Sequence, residues 1–237
     1  MTIHIDTDHG LIPPYAVMLI ISFIAGLAVQ FLLNVKRGVK KNIAGYGIIL
    51  APPMTAFFAL LVMQLYTSGK GIGVSSVGGA LGMYMSAVTM ALISRDRSCG
   101  GILIESCTVT LPLMYSIAKL GCLMAGCCHG MDYSGPLALE YSGRVGEICV
   151  FPVQIAESAV FFIIFIIALT MHAGRRYYTI PVVILMSAAA KGLLDFFRAS
   201  HTGKLISLNQ IFCIIAVTIC TLAVVYQKKR VLQRAYR

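Results

Sequence analysis

Apolar residues run along this chain in long blocks separated by short polar breaks. The blocks cover 14–35, 42–66, 71–94, 100–117, 150–171, 178–197 and 206–226. Each is close to the roughly 20 residues that an α-helix needs to cross about 30 Å of hydrocarbon. Segments that alternate polar and apolar residues, as in outer-membrane barrels, are absent, so helices must satisfy the backbone. The pattern predicts an all-α, polytopic integral membrane protein with seven transmembrane helices, residues 1–237 forming one domain. The longest break spans about 119–149, after the fourth block.

Composition agrees with the pattern. Of 237 residues, 58% are hydrophobic and 12% charged, with mean hydropathy +0.85, more apolar surface than a soluble core could hide. The net charge of +10 would suit a nucleic-acid partner, but its distribution argues for topology instead. One set of breaks collects Lys36, Arg37, Lys40, Lys41, Arg95, Arg97, Arg175, Arg176, Lys228, Lys229, Arg230, Arg234 and Arg237. The other face and the spans keep Lys70, Lys119, Arg144, Lys191, Arg198 and Lys204. The positive-inside rule makes the first set cytoplasmic, with the N-terminus outside and the C-terminus in the cytoplasm. Residues 1–10 hold Asp6, Asp8, His4 and His9 but no Lys or Arg, so a cleavable leader is not expected and the first span reads as an anchor.

Ionisable groups inside spans cost roughly 2.5–3.5 kcal/mol each on insertion scales, which makes them functional candidates. The stretch "KGLLDFFR" places Lys191, Asp195 and Arg198 at i, i+4 and i+7, one face of a helix. At 1.5 Å per residue, Lys191 then lies about 10 Å below Arg198, the depth of a lipid phosphate and glycerol. A phosphate could sit against these cations with Asp195 orienting them; the structural alternative is that the cations snorkel and pair with Asp195 to lower their insertion cost. Glu105 lies in the fourth span, and Gln154 and Glu157 share a face of the fifth, after Pro152. "GVSSVGGALG" puts Ser75, Gly78, Gly79 and Gly82 at close-packing spacings, a helix-packing pattern that could also free backbone N–H groups for an anion.

Cys122, Cys127, Cys128 and His129 fall within "KLGCLMAGCCHG", and three readings compete. The spacing departs from the usual zinc patterns and strains tetrahedral closure, so no metal and no cofactor is expected. A disulfide is open, with Cys149 in the same loop. The third reading gives the weight to Gly121, Gly126 and Gly130, which would let a headgroup approach the backbone beside Lys119. Cys99, Cys107, Cys213 and Cys220 lie in or beside apolar blocks and behave as small hydrophobic residues.

These residues resemble those of the prolipoprotein diacylglyceryl transferases, a family with seven transmembrane helices, an external N-terminus and the signature G-R-x-G-N-F-x-N-x-E-x-x-G. "AKLGCLMAGCCHG" fits it without a gap, Lys119 standing at the arginine, Gly121 and Gly130 at glycines, Cys122 at the first asparagine and Cys127 at the glutamate. Glu105 and Pro112 match an upstream Asp and Pro, "FPVQIAE" is similar to H-P-x-Q-x-Y-E, "KGLLDFFR" to R-x-x-x-E-F-F-R, "SSVGGALG" to S-F-H-G-G, and Tyr15 to a first-span tyrosine. The likeness runs from about residue 15 to residue 198. It departs at Val77, where the family has a histidine, at the two lysines and at the two cysteines, which marks a divergent branch. Positive charge survives there, while bidentate geometry does not.

The resemblance implies transfer of a diacylglyceryl group from phosphatidylglycerol to the thiol of a lipobox cysteine in a prolipoprotein, at the outer leaflet of a bacterial plasma membrane. Lys119, Lys191 and Arg198 would bind the headgroup phosphate, with Asp195 beside them. Tyr15, Gly78, Gly79, Gly121, Gln154 and Glu157 would shape the substrate site, and His129, with Glu157 or Asp195 as alternatives, would take the thiol proton that Val77 cannot. The partners implied are a phospholipid, the signal-peptide segment of a prolipoprotein and the membrane, without nucleic acid. Two rivals stay open: a lipid-modifying enzyme with another acceptor, and a non-catalytic or thiol-redox membrane protein. A transporter would need a repeat or an interrupted helix pair.

Overall fold

The computed structural model describes residues 2–7, 13–67, 73–94, 96–143, 146–176, 178–199 and 207–235. Lys70, Arg95, Arg144, Lys204 and Arg237 lie outside these residues, as do the side chains of Arg97, Lys228, Lys229, Arg230 and Arg234. Among the described residues there are seven helices: α1 Pro14–Lys36, α2 Lys41–Thr67, α3 Ser76–Ser94, α4 Arg97–Met124, α5 Val153–Ala173, α6 Thr179–Asp195 and α7 Leu208–Ala235. Five of them, α1 to α5, are long and apolar enough to cross a membrane; α6 has 17 residues. The protein is a polytopic helical membrane protein.

Local chemistry sets the helix ends. Pro14 opens α1, where a missing N–H costs nothing, and Gly38 at φ +89° turns the chain out of it. The Asp96 carboxylate accepts from Ser98 N at 2.9 Å and caps α4. Two interior prolines, Pro52 and Pro53, remove hydrogen bonds from α2. Helix α4 packs against α1, α3, α5 and α6 and is the most buried of the five long apolar helices. One apolar cluster joins α1, α4, α5 and α6 through Leu33, Val109, Leu113, Phe165 and Val183. A second joins α1, α2, α3 and α4 through Leu27, Ala51, Met83 and Met114. Outward-facing Ile24, Ile49, Leu65 and Leu92 are 65–75% exposed, which suits a lipid solvent and inverts the pattern of a water-soluble surface.

Three features differ from the reading of the pattern. Helix α4 runs seven residues beyond the predicted 117, because hydrogen bonding continues to Ala125 N→Gly121 O (3.0 Å) and stops only at Gly126, φ +65°; Lys119, Gly121 and Cys122 are therefore helical rather than in the loop. Helix α6 ends at Asp195, so Arg198 is not the i+7 member of a helical stack; it forms an antiparallel bridge with Gly130. The fold is also not purely helical. Strands β1 Ile3–Asp6, β2 Leu139–Ser142 and β3 Ile148–Val150 form one sheet, β1 parallel and β3 antiparallel to β2. Leu139, Tyr141 and Val150 pack from this sheet onto Leu123 at the end of α4. Such short alternations lie below the length at which periodicity identifies a strand.

Candidate functional site

Glu157 occupies the second turn of α5 and faces the bundle with no solvent exposure. A buried carboxylate needs partners, and it has four contacts. Arg198 Nη2 donates to Oε1 at 2.7 Å and to Oε2 at 2.8 Å. Lys119 Nζ lies 2.8 Å from Oε2. The Tyr115 hydroxyl donates to Oε1 at 3.0 Å and accepts from Lys191 Nζ at 2.7 Å. Tyr115 precedes Lys119 by four residues, one turn of α4, so both reach the same point. Its ring also faces two ammonium groups, Lys119 at 5.1 Å and Lys191 at 4.7 Å from the centroid, within cation–π range.

Arg198 arrives from a different direction. After α6 the chain turns through Phe196 and Phe197 and runs along the cysteine loop, with Met131 N→Phe197 O at 2.9 Å and Ala199 N→His129 O at 3.3 Å. Gly130 bridges Arg198 on one side and on the other admits Phe151, since a Cβ there would lie 2.3 Å from Phe151 O. Asp195 Oδ1 stands 3.8 Å from Arg198 Nε, and Ser207 Oγ donates to Asp195 Oδ2. Arg198 Nε itself is buried without a hydrogen-bond partner. The cluster thus holds three cations, Lys119, Lys191 and Arg198, against two carboxylates, Glu157 and Asp195. Lys119 and Arg198 are 5% and 7% exposed and Asp195 1%, while Lys191 is half-buried at the cavity wall; among the described residues the surplus positive charge therefore faces the cavity.

Beside the cluster lies a largely apolar cavity of about 480 Å³ lined by residues of all seven helices, α5 contributing Phe161. Tyr15, Thr55, Val77, Gly79 and Tyr115 line it, and Lys191 is the charged residue on its described wall. The predicted glycines divide. Gly79 borders the cavity, whereas a Cβ on Gly78 would meet Phe58 O at 2.3 Å, so Gly78 serves the packing of α3 on α2. Gly121 likewise admits α1, a Cβ there falling 2.8 Å from Met18 Cβ and 3.3 Å from Tyr15 Cα. Gln154 is fully buried and donates through Nε2 to Cys127 O and the Tyr141 hydroxyl, both at 3.2 Å. His129 is half-buried, with Nδ1 3.0 Å from Gly130 O.

The cysteine loop closes over this end. Cys122 is buried and Cys127 and Cys128 are exposed; all eight cysteines are free thiols. Their three Sγ atoms lie within 4.8 Å of one another. The Cys128 thiol is held well below its ordinary pKa by hydrogen bonds from Cys122 and Cys127, then by Lys119 and Arg198. Burial pushes the Tyr141 phenol up, which keeps it a neutral donor toward Leu123 O at 3.0 Å.

A second ionic group sits at the far end of α4, where Glu105 meets His172 Nδ1 at 3.0 Å and Arg37 Nη2 at 3.4 Å. Fourteen residues at 1.5 Å separate it from Lys119 by about 21 Å, so Glu105 belongs to a different site. The sequence reading passed over Tyr115 and Ser207. For Tyr115 a signal existed, a hydroxyl one turn before Lys119 in an apolar span; for Ser207, twelve residues from Asp195, none did.

The sequence matches the family model described as prolipoprotein diacylglyceryl transferase over residues 9–226, most of the chain. No curated protein matches it.

Proposed function

The chain belongs to the prolipoprotein diacylglyceryl transferase family, and we propose that it moves a diacylglyceryl group from phosphatidylglycerol to the thiol of a lipobox cysteine. Family membership implies diacylglyceryl transfer in lipoprotein biosynthesis by a membrane enzyme; the donor, the acceptor and the residue roles are our reading. The observation that carries it is the surplus of cations, among the described residues, at the wall of an apolar cavity, with Lys119 and Arg198 buried and Lys191 half-buried. A phosphodiester supplies the missing negative charge, while its glyceryl and acyl portions match an apolar wall.

In this reading Lys119, Lys191 and Arg198 hold the phosphate. Glu157 fixes Lys119 and Arg198, Tyr115 sets the position of the Lys191 ammonium, and Asp195 orients Arg198. The acceptor sulfur attacks the glyceryl carbon next to the phosphate; the S–C bond forms, the C–O bond breaks, and the electron pair leaves with glycerol phosphate. The three cations stabilise the leaving group as its charge develops. Tyr15, Gly79 and Val77 border the lipid, with Gly78 and Gly121 setting helix spacing around it and Gln154 holding the loop. His129 is the candidate acceptor of the thiol proton, its Nδ1 engagement with Gly130 leaving Nε2 for that role. Helices α1 to α7 form the membrane domain, with the N-terminus and the cysteine loop outside and the C-terminus in the cytoplasm of a bacterial cell.

The test is reconstitution of the purified protein in phosphatidylglycerol vesicles with a lipobox peptide. Glycerol phosphate release matched by a lipid-sized mass gain on the peptide, both lost in Lys191→Ala, is the expected result. Release without peptide modification means another acceptor, and no release where an ordinary family member works overturns the reading. Unchanged turnover in His129→Ala removes that residue from it.

A further inference from the structure

We infer that Cys122, Cys127 and Cys128 form a three-thiolate site for a zinc-class ion, and that the acceptor thiol enters as the fourth ligand. The spacing of these cysteines in sequence argues against closure, but the fold overcomes it. Gly126 at φ +65° and Cys128 at φ +55° reverse the chain after α4, and Cys127 N donates to Cys122 O at 3.1 Å. All three Sγ atoms then lie within 4.8 Å of one another. Zinc–sulfur bonds of about 2.3 Å require sulfurs about 3.8 Å apart in a tetrahedral set and about 4.0 Å apart in a trigonal one. Closing onto an ion therefore needs sub-ångström movements.

The ligand positions are built rather than loose. A left-handed conformation at a non-glycine residue such as Cys128 costs on the order of 1 kcal/mol or more, and is kept where surrounding contacts impose it. Those contacts are Gln154 Nε2 to Cys127 O at 3.2 Å, and the backbone bonds that tie His129 and Met131 to the segment carrying Arg198. A disulfide is a poor alternative for two of the three thiols, because neighbouring Cα atoms are about 3.8 Å apart and an unstrained disulfide needs about 4.4–6.8 Å. Soft thiolate donors select copper(I) or zinc over hard cations. Three thiolates around a divalent ion carry one net negative charge.

Exposure decides what the fourth ligand is. Cys122 closes the inner side, whereas Cys127 and Cys128 are open to the outside, the arrangement of a site that keeps one position for a substrate. A thiol bound there is acidified, gives its proton to the acceptor proposed above, His129, and is held as a thiolate beside the cations that bind the leaving phosphate. That supplies the activation for which Val77, on the cavity wall, has no titratable group. This last step rests on the transfer reaction proposed above; the metal site itself rests on the geometry of the loop.

The test is titration of the reduced, purified protein with cobalt(II), followed by zinc. One cobalt per chain, an intense thiolate-to-cobalt charge-transfer absorption and its displacement by zinc are expected. Cys127→Ser should weaken binding at least 100-fold, Cys220→Ser should not, and Cys128→His should keep the metal with a weaker sulfur band, which separates ligand loss from misfolding. A lipobox peptide should then shift the cobalt spectrum, its serine counterpart should not, and chelation should abolish transfer until zinc returns. Absence of the charge-transfer band in reduced protein overturns the site. A band indifferent to the thiol peptide overturns the fourth-ligand step. A band that responds to the peptide, with no glycerol phosphate released, leaves the metal site standing and overturns the donor reading instead.

Discussion

Replacing Glu157 with glutamine removes the charge that holds Lys119 and Arg198 together while keeping the volume and one carbonyl acceptor. Arg198 at 2.7 and 2.8 Å and Lys119 at 2.8 Å lose their counter-ion. Both are at most 7% exposed, so water does not replace it. Breaking a buried pair by removing one partner costs about 3–5 kcal/mol, chiefly from the charge left behind. In a chain of this size each kcal/mol is worth about 2–4 °C, so the melting temperature should fall by about 6–20 °C. With no tryptophan in the sequence, far-ultraviolet circular dichroism is the direct assay, in a neutral detergent.

Lipid then separates a structural cluster from a binding site. If the surplus cations exist to meet a phosphate, an anionic phospholipid at about 100 times its dissociation constant stabilises the folded state by about 2.7 kcal/mol. That recovers roughly half or more of the Glu157→Gln loss, and a zwitterionic lipid recovers less. Adding Lys119→Met to Glu157→Gln should also restore stability, by about 0.5–3 kcal/mol of coupling, because one orphaned charge goes with it. A Glu157→Gln loss below about 1 kcal/mol, or a double variant that is worse by the sum of its parts, would refute the ionic arrangement described here.

Tyr115→Phe removes the hydroxyl that Lys191 donates to, and a hydrogen bond to a charged group is worth about 1.5–3 kcal/mol; glycerol phosphate release should fall about 10- to 100-fold with the helical spectrum unchanged. Gly78→Ala drives a Cβ toward Phe58 O at 2.3 Å and should destabilise by about 1–3 kcal/mol, whereas Gly79→Ala, facing Thr55 Cγ2 at 3.5 Å, should melt within about 0.5 kcal/mol of the parent. Glu105→Gln should lower the melting temperature through its contacts with Arg37 and His172 yet leave the donor's KM unchanged, being about 21 Å from Lys119. A membrane-impermeant maleimide added to intact cells should label Cys127 and Cys128, and labelling only after permeabilisation would reverse the proposed orientation.

How much of this was legible depended on whether a residue's partner lay on its own helix. Blocks of apolar residues announce helices because lipid demands them, and the bounds of α1 and α5 fall within a few residues of the pattern. Lys191 and Asp195 stood out as charges in an apolar segment. Arg198 does stand beside Asp195, but not by helical periodicity, since α6 ends at Asp195. What positions Arg198 is a bridge to Gly130, a contact spanning 68 residues that no local period encodes. The small sheet was hidden for the same reason, since β1 pairs with β2 across more than 130 residues. Glu157 was visible as a span carboxylate expected to shape the substrate site; its place at the hub of the ionic cluster emerges only when α4, α5 and the turn after α6 meet.

The lysines gain a meaning from that meeting. Where the family signature has arginines, Lys119 contacts Glu157 Oε2 and Lys191 contacts the Tyr115 hydroxyl, each ammonium having three donors. Arg198 alone reaches both carboxylate oxygens, through the single nitrogen Nη2, while its Nε faces Asp195 Oδ1 at 3.8 Å, and a planar group held at two of its nitrogens is fixed in orientation. Orientation is thus concentrated in one arginine, and two point charges with remaining donors stay available to an anion of varied geometry. Arginines at both positions would offer stiffer, bidentate recognition of a phosphate. Lys119→Arg and Lys191→Arg together should therefore tighten the preference for one headgroup geometry, read as a larger ratio of kcat/KM between phosphatidylglycerol and other anionic phospholipids; an unchanged ratio would mean that these cations supply charge without shape.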